Sequence, residues 1–240
     1  MAIGLDGHSK VKQGGGGLSG PFTVSHTCGG VQRLLVVVFS GMRGALGSWS
    51  VSGLTYNGTS LTSGAANESS GSSRNIRTEV WYLVNPPGGS SYSVSVSVSA
   101  SLQSYSLAAI SLTEVDQSSP VGNTGTDAGN KSSYSVGLST SVADAWLIGG
   151  AGIRNGNRTW TPQGSTTEIY EQASGSDTTS DIVGCGDYLV CTSAGSYSLA
   201  SNADSSNLGV MAGIVVQPAS SAPAAWFGAE FVAVGGVWTF

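Results

Sequence analysis

A stretch of strict alternation between serine and valine most constrains how this chain can fold. In residues 91–100, SYSVSVSVSA, the aromatic and aliphatic side chains share one face of an extended strand and the serines share the other. A flexible linker has no reason to keep valine on one face, so the low-complexity interpretation fails. The serine face carries no lysine of the kind that guards an exposed sheet edge, so either water or a neighbouring subunit must cover it.

The rest of the chain shows the same preference for strands over helices. Helical periodicity is almost absent, and turn signals recur about every 8 to 15 residues. This pattern predicts an all-β fold, a jelly-roll-like antiparallel β-sandwich. In a predicted strand at 32–40, the residues LLVVVF (34–39) are apolar on both faces and predict a central strand covered on each side. The other predicted strands span 21–27, 49–56, 77–84, 91–100, 105–113, 133–139, 145–153, 166–173, 188–193 and 208–218.

Two turns can be located from residue type alone. Asn57-Gly58 lies between two strand-like segments and predicts a two-residue hairpin turn. In NPPGG (85–89), the prolines cannot extend the preceding strand, and the glycines allow the backbone to reverse.

The composition is poor in charge. Charged residues make up 10% of the chain, against about 25% in ordinary globular proteins, while 40% of residues are hydrophobic. The apolar content favours a folded core, and a neutral surface of serine, threonine, glycine and asparagine allows copies to pack closely. A net charge of −5 with nine Lys and Arg residues argues against nucleic acid as a partner. No apolar run reaches the roughly 18 residues that a membrane span requires.

The first residues bear on localisation. MAIGLDGHSKVKQGGGG lacks the apolar core of a secretory signal peptide. An exported protein needs such a signal, whereas a virion protein is released by lysis. We therefore expect a virion protein, with the extracellular surface as the alternative.

Composition shifts divide the chain into three parts. We predict a Gly-rich N-terminal arm at 1–20, a β-sandwich domain at 21–218, and a linker with an aromatic tail at 219–240. Large apolar side chains at a terminus must dock somewhere, because they would promote aggregation if they stayed exposed. We expect them to contact either their own domain or a neighbouring subunit. The predicted assembly residues are Trp226, Phe227, Phe231, Val232, Val234, Trp238 and Phe240.

The three cysteines offer few sites. Cys185 and Cys191 could close a small disulfide loop, and two unpaired thiols are an equal alternative. A zinc site is not expected, because the two histidines, His8 and His26, lack the spacing of metal ligands.

Calcium is the one cofactor with some support. Asp177, Asp181 and Asp187 lie close together in sequence, and Asp116 and Asp127 flank another segment. Oxygen-rich loops of β-sandwiches can bind Ca²⁺. The spacing of an EF-hand loop is absent, so solvated acids are the favoured interpretation and no cofactor is expected.

Enzymatic patterns are scarce. His26 and Cys28 could form a nucleophile pair, but two residues apart on a strand they also pack side by side. The sequence has no nucleophile elbow, P-loop or zinc-protease motif. The spacing of its acids does not pair them for glycoside hydrolysis; these acids are Glu79, Glu114, Asp116 and Glu168. We therefore predict no catalytic residue.

A glycan-binding function is the main alternative. The chain has several aromatic residues that could form a sugar platform, and a neutral polar surface suits carbohydrate. Trp160, in GNRTWTPQG, is the best candidate for a glycan contact because it is predicted to lie in a loop.

Four motifs in order resemble a family of largely uncharacterised proteins of bacteriophage virions and bacterial or environmental surfaces. They are SHTCGGVQRLLVVVF (25–39), VSGLTYNGTSLT (51–62), RTEVWYLVNPP (77–87) and AAISLTEVDQSSPVG (108–122). The resemblance covers about residues 20–218 and implies a jelly-roll-type β-sandwich without known catalytic activity. The N-terminal arm and the tail lie outside it.

Together these observations predict a structural protein without catalytic activity that assembles in many copies. We expect a capsid, decoration or tail protein of a virion, or an extracellular filament subunit, whose C-terminal tail docks on a neighbouring subunit. Its partners would be further copies of itself, with other virion or surface proteins and glycans as additional partners. The alternative is a carbohydrate-binding or receptor-binding module.

Overall fold

The computed structural model describes residues 1–220, which form 15 β-strands. No helix that could cross a membrane occurs among these residues. The strands are β1 (Gly4–Gln13), β2 (Phe22–Thr27), β3 (Leu34–Arg43), β4 (Val51–Tyr56), β5 (Thr59–Ser60), β6 (Thr62–Ser70), β7 (Asn75–Val84), β8 (Ser91–Val98), β9 (Ser104–Thr113), β10 (Val121–Thr140), β11 (Ala145–Arg154), β12 (Trp160–Pro162), β13 (Thr167–Ala173), β14 (Ile182–Cys191) and β15 (Gly195–Val216).

The first half of the chain forms one complete sandwich. Its inner sheet has the order β1-β9-β3-β7-β6 and its outer sheet the order β2-β8-β4-β5. The first strand lies beside the last, and the chain passes between the facing sheets at most connections, which is jelly-roll-like connectivity. The prediction of an all-β, antiparallel β-sandwich of this type is confirmed.

The second half forms another sandwich with two strands that bend. β10 and β15 each contribute an inner limb (121–131 and 207–216) and an outer limb (133–140 and 195–202). The inner sheet has the order β10-β15-β11-β14-β13, and β12 pairs with the outer limb of β15. The outer limbs cover a separate apolar core that includes Tyr134, Leu147, Val183 and Leu199.

The two halves share one plan. If the limbs of β10 correspond to β1 and β2, and those of β15 to β8 and β9, the strand orders of the two sandwiches agree. β6 and β13 even have register shifts at equivalent places, Ser63/Ala65 and Glu168/Tyr170. The sequences agree locally as well: YLVNPPGGSSYSV (82–94) corresponds to YLVCTSAGSYSL (188–199). The chain therefore contains the same sandwich twice.

The two sandwiches pack back to back through their inner sheets. Apolar residues from both sheets, such as Val36, Ile110, Ile148 and Ile214, form one buried cluster between them. Alternate side chains of β3 point toward the second sandwich and toward the outer sheet of the first. Residues 34–42 are therefore buried on both sides. The prediction of a central strand at LLVVVF is confirmed.

The contacts between the inner sheets follow a pseudo-two-fold arrangement. Ser40 lies against Gly152, and these two positions correspond in the two sandwiches. The Thr78 hydroxyl donates to the carbonyl oxygen of Val210 (3.3 Å). The corresponding pair, Gly184 and Ser106, is also in contact. The inner face therefore resembles the isologous interface of a homodimer, here between two parts of one chain.

The predicted N-terminal arm is wrong for most of its length. Gly4–Gln13 form β1, which pairs with β9 at the edge of the inner sheet. The glycines act only at residues 14–17, which form a turn in which Gly15, Gly16 and Gly17 have positive φ. In Gly4–Gln13, partly buried and exposed residues follow one another along the strand, and this segment forms the edge strand of the inner sheet.

The serine–valine strand β8 lies between β2 and β4, inside the outer sheet. Val94 and Val96 are fully buried in the core of the first sandwich, and the serine face points outward. The strand is therefore not a sheet edge. The Asn57-Gly58 hairpin is also confirmed: Tyr56 pairs with Thr59, and both turn residues have positive φ.

The close approach of the inner sheets gives a stability prediction. A Cβ atom at Gly184 would lie 2.6 Å from the Cβ and Oγ of Ser106. We expect Gly184→Val to lower the free energy of unfolding by about 1–3 kcal/mol through overpacking. Gly137→Val is the matched control, because nothing lies within 4 Å of the added Cβ. Denaturant unfolding followed by tryptophan fluorescence measures both, and equal stabilities of the two variants would contradict the close packing.

Candidate functional site

The last strands of the two sandwiches end side by side. The Asp116 amide donates to the Gln217 carbonyl (3.0 Å), and the Ala219 amide donates to the Glu114 carbonyl (2.8 Å). The Met1 nitrogen also donates to the Ala219 carbonyl (3.3 Å). We call this end of the molecule the exit end, because residues 221–240 continue from it. It comprises residues 1, 5, 31, 114–116, 142, 190 and 217–220.

Exposed apolar side chains concentrate at the exit end. Among the described residues, six large apolar side chains are exposed. Five of them lie on strand ends or loops of this region: Met1, Leu5, Val31, Val142 and Val190. The sixth, Leu46, follows β3 at the opposite end of the molecule. This concentration at one end makes the exit end the best candidate for a contact surface among the described residues.

A groove opens beside this surface. It runs along the edge strand β10, between its inner limb at 121–124 and the segment 137–142, and reaches from Ser220 to Tyr197. Three depressions make it continuous because neighbouring ones share Gly122, Asn123, Ser139, Ser141 and Gln217. The largest, with a volume of about 470 Å³, adjoins Ser220.

The corresponding place in the first sandwich is closed by side chains. The carboxylate of Asp6 accepts hydrogen bonds from the Gly29 amide and the Ser111 hydroxyl, both at 2.7 Å. His26 Nδ1 and Ser9 Oγ, 3.0 Å apart, join β2 to β1. In the second sandwich, Leu138 and Val215 occupy the positions of His26 and Ser111.

The groove of the second sandwich is bridged by one amide and is nearly neutral. Asn123 Nδ2 donates to the Ser139 carbonyl (3.0 Å) and hydroxyl (2.8 Å). Its one carboxylate is that of Asp116, which accepts the Ser118 and Ser119 amides. These hydrogen bonds lower the pKa of Asp116. Serine hydroxyls, exposed backbone and a few apolar side chains such as Val142 form the rest, which suits an uncharged peptide.

The predicted assembly residues lie outside the described residues. These are Trp226, Phe227, Phe231, Val232, Val234, Trp238 and Phe240. Their docking on a neighbouring subunit therefore stays a prediction.

The prediction of Trp160 as an exposed glycan contact is wrong. Trp160 is 5% exposed and begins β12. Its indole Nε1 donates to the Val183 carbonyl (3.3 Å), and its ring packs edge-on against Tyr134. The segment that was predicted to be a loop forms the short strand β12, and its aromatic side chain packs in the core of the second sandwich.

A disulfide between Cys185 and Cys191 is also excluded. Both lie on β14, six positions apart, which separates them by about 20 Å, whereas a disulfide needs Cα atoms within about 7 Å. All three cysteines of the chain are free and buried. Burial raises the pKa of Cys28, which keeps this thiol in its less reactive, protonated form.

The acids considered for calcium do not converge. The Asp177 carboxylate accepts the Thr179 and Ser180 amides, and these hydrogen bonds lower its pKa to about 2. Asp181 accepts the Asp177 amide and the Ser174 hydroxyl, and Asp187 lies inside the sandwich. Within residues 1–220, no three metal-ligating side chains come together.

Asp187 forms a buried polar cluster under the outer limb of β15. Its Oδ2 accepts the Ser201 hydroxyl (2.6 Å) and the Cys185 thiol (3.6 Å). Burial, reinforced by the negative charges of Glu168 and Glu171, raises its pKa to about 6. Trp81 holds the corresponding position in the first sandwich, so this acid distinguishes the two halves.

This cluster predicts a pH dependence of stability. Because the pKa of Asp187 is about 6 when folded and ordinarily 3.8, its contribution to stability is fully present below about pH 4 and lost as the pH rises to about 6. The loss is about 3 kcal/mol. We expect Asp187→Asn to flatten this dependence and to raise the free energy of unfolding at pH 7 by about 1–3 kcal/mol. Denaturant titrations from pH 4 to 7 measure it.

The control for this prediction is Asp204→Asn, which changes an exposed acid of the same sandwich. Asp204→Asn should leave the decrease in the free energy of unfolding between pH 4 and 6 unchanged. If both variants show the same decrease as the unmodified protein, Asp187 is not its source.

Comparisons with known proteins add no family to this geometry. No protein-family model matches the chain, and searches of curated proteins and of solved structures found no similar chain. The resemblance of the four sequence motifs to phage and surface proteins therefore stays a prediction.

The residues of the exit end and of the groove were missed in the sequence. Val31, Val142 and Val190 look like ordinary strand or loop residues, because a single exposed valine carries no signal. The repeated YLV and SYS segments were the available signal: they reveal the duplication and hence that both last strands could end together.

Proposed function

We propose that this protein is a non-enzymatic structural subunit that assembles in many copies, in a virion or in an extracellular filament. Its C-terminal tail docks on a neighbouring subunit. The observation that carries the proposal is the concentration of exposed apolar side chains at the exit end, beside the point where residues 221–240 begin.

The charge distribution supports this proposal. The described residues contain four ion pairs, and the net charge of the whole chain is −5 over 240 residues. Copies with so few charges repel each other weakly, and burial of the apolar side chains contributes about 25 cal/mol per Å². A contact of this kind depends little on salt.

The fold supports the proposal by analogy only. Jelly-roll sandwiches form many viral capsid proteins, but they also occur in lectins and enzymes. The lectin-like alternative depended on an exposed Trp160, and that residue is buried. The exit end is therefore the better-supported site.

Charged substitutions at the exit end test the proposal. We expect Val31→Lys combined with Val142→Lys to weaken self-association at least tenfold, because a lysine buried in a contact without a partner is costly. The matched control is Leu46→Lys at the other end, since Val31 and Leu46 are 61% and 59% exposed. Light scattering and electron microscopy follow assembly. Equal effects of both changes would remove the exit end from the contact.

Deletion of residues 224–240 tests the tail separately. We expect the truncated protein to keep its folded β-sheet signal and to lose assembly, because the two sandwich cores lie within residues 1–220. Circular dichroism and light scattering measure the two properties. A truncated protein that still assembles contradicts trans docking, and one that no longer folds shows that the tail belongs to its own core.

A further inference from the structure

We propose that the groove along β10 receives the tail of a second copy, so that two copies exchange their tails at facing exit ends. This inference rests on the proposed function and names the acceptor of the tail. The occupant is residues 221–240 of the partner copy, which begin directly after Ser220, itself a lining residue of the groove.

The chemistry of the tail matches that of the groove. Residues 221–240 contain a single charged residue, Glu230, and many large apolar side chains. The groove is lined mainly by hydroxyls, amides and backbone, with apolar side chains such as Val142 and Pro218 near the exit end. Neither the groove lining nor the tail contains a lysine, arginine or histidine that would need an acidic partner.

The edge position of β10 allows main-chain recognition. β10 has β15 on one side and is the outermost strand of its sheet. An extended peptide can add to such an edge through backbone hydrogen bonds, and side chains at alternate positions then fill pockets. The segment EFVAV (230–234) has the β-branched and aromatic residues that favour an added strand.

Length decides between the chain's own groove and that of a partner. The groove spans about four to six residues of β10, or roughly 13–20 Å. A tail that entered its own groove from Ser220 would fill it with SAPAA (221–225), which is small and includes a proline without an amide donor. A tail from a second copy can instead place Phe227–Val234 there. Extended, 20 residues reach about 60 Å, enough to cross to a partner.

The position of the groove also fixes the symmetry. Since the acceptor groove and the point of departure of the tail lie at the same end, each copy can give and receive a tail in one contact. Such an exchange is isologous and closes at two copies. Growth to larger arrays then uses a second surface, and the exchanged pair is the building block.

Cross-linking between two tagged copies tests the exchange. One full-length chain carries Ser139→Cys in the groove and the other carries Ala229→Cys in the tail, and the two are co-expressed with different tags. We expect a disulfide-linked pair that contains both tags, because Ser139 is an exposed lining residue. Ser93→Cys, on the outward face of β8, replaces Ser139→Cys in the control and should give no link.

A substitution that fills the groove supplies a second measurement. Nothing lies within 4 Å of a Cβ added at Gly137, so Gly137→Arg places a long side chain in the groove without disturbing the core. We expect at least a tenfold loss of pair affinity by light scattering. Gly53→Arg, at an equally open strand glycine of the first sandwich, should leave the affinity unchanged.

The outcomes separate this inference from the proposed function. A link between differently tagged chains together with the loss caused by Gly137→Arg supports the exchange. Assembly that persists without the link and tolerates Gly137→Arg overturns the groove but leaves the structural function intact. A third chain that carries both Ser139→Cys and Ala229→Cys tests docking in the same copy: a link that forms within this chain, with none between the two tagged chains, overturns exchange. A wild-type protein that stays monomeric at all concentrations overturns both.

Discussion

The close contact between the two inner sheets is the interaction on which the rest of the structure depends. Glycines of the second sandwich lie against side chains of the first, as Gly150 does against Val38 and Gly152 against Ser40. Because these glycines have no side chain, side chains of the first inner sheet can approach the backbone of the second inner sheet closely. Dispersion and burial then act over two whole sheet faces, which makes two modest sandwiches into one rigid body.

This contact leaves little surface for other roles. The inner faces are buried in each other, and each outer layer covers its own core. The outward faces of the outer layers are polar, as the serines of β8 show. The sheet edges and the strand ends are the remaining surfaces that could bind another molecule. Large apolar side chains are exposed mainly at the exit end.

The sequence predicted those features that depend on a single strand or turn. The alternation of β8, the two-sided burial of LLVVVF and the Asn57-Gly58 turn follow from local chemistry, and the structure confirms them. The exposed position predicted for Trp160 is wrong, and of the two alternatives for Cys185 and Cys191 the structure has the unpaired thiols. Both environments depend on how distant segments pack. Trp160 lies in a segment with loop-like composition, yet the outer limbs of β10 and β15 provide a core for it to enter. Short sequence separation likewise suggested a loop disulfide, whereas one straight strand holds both cysteines apart.

The duplication makes the difference between the two sandwiches at this place informative. Two copies of a sandwich begin with equivalent edges, and identical sites at both would let contacts propagate from either half. In the first sandwich Asp6 and His26 close the edge with hydrogen bonds, whereas in the second Leu138 and Val215 replace His26 and Ser111, and the groove there is bridged by the amide of Asn123 alone. Loss of these polar ties costs little, because no buried partner is left unpaired when both members of a pair change together. The second sandwich therefore has the same fold with fewer polar ties at this edge, and the groove beside it reaches Ser220, where the tail departs.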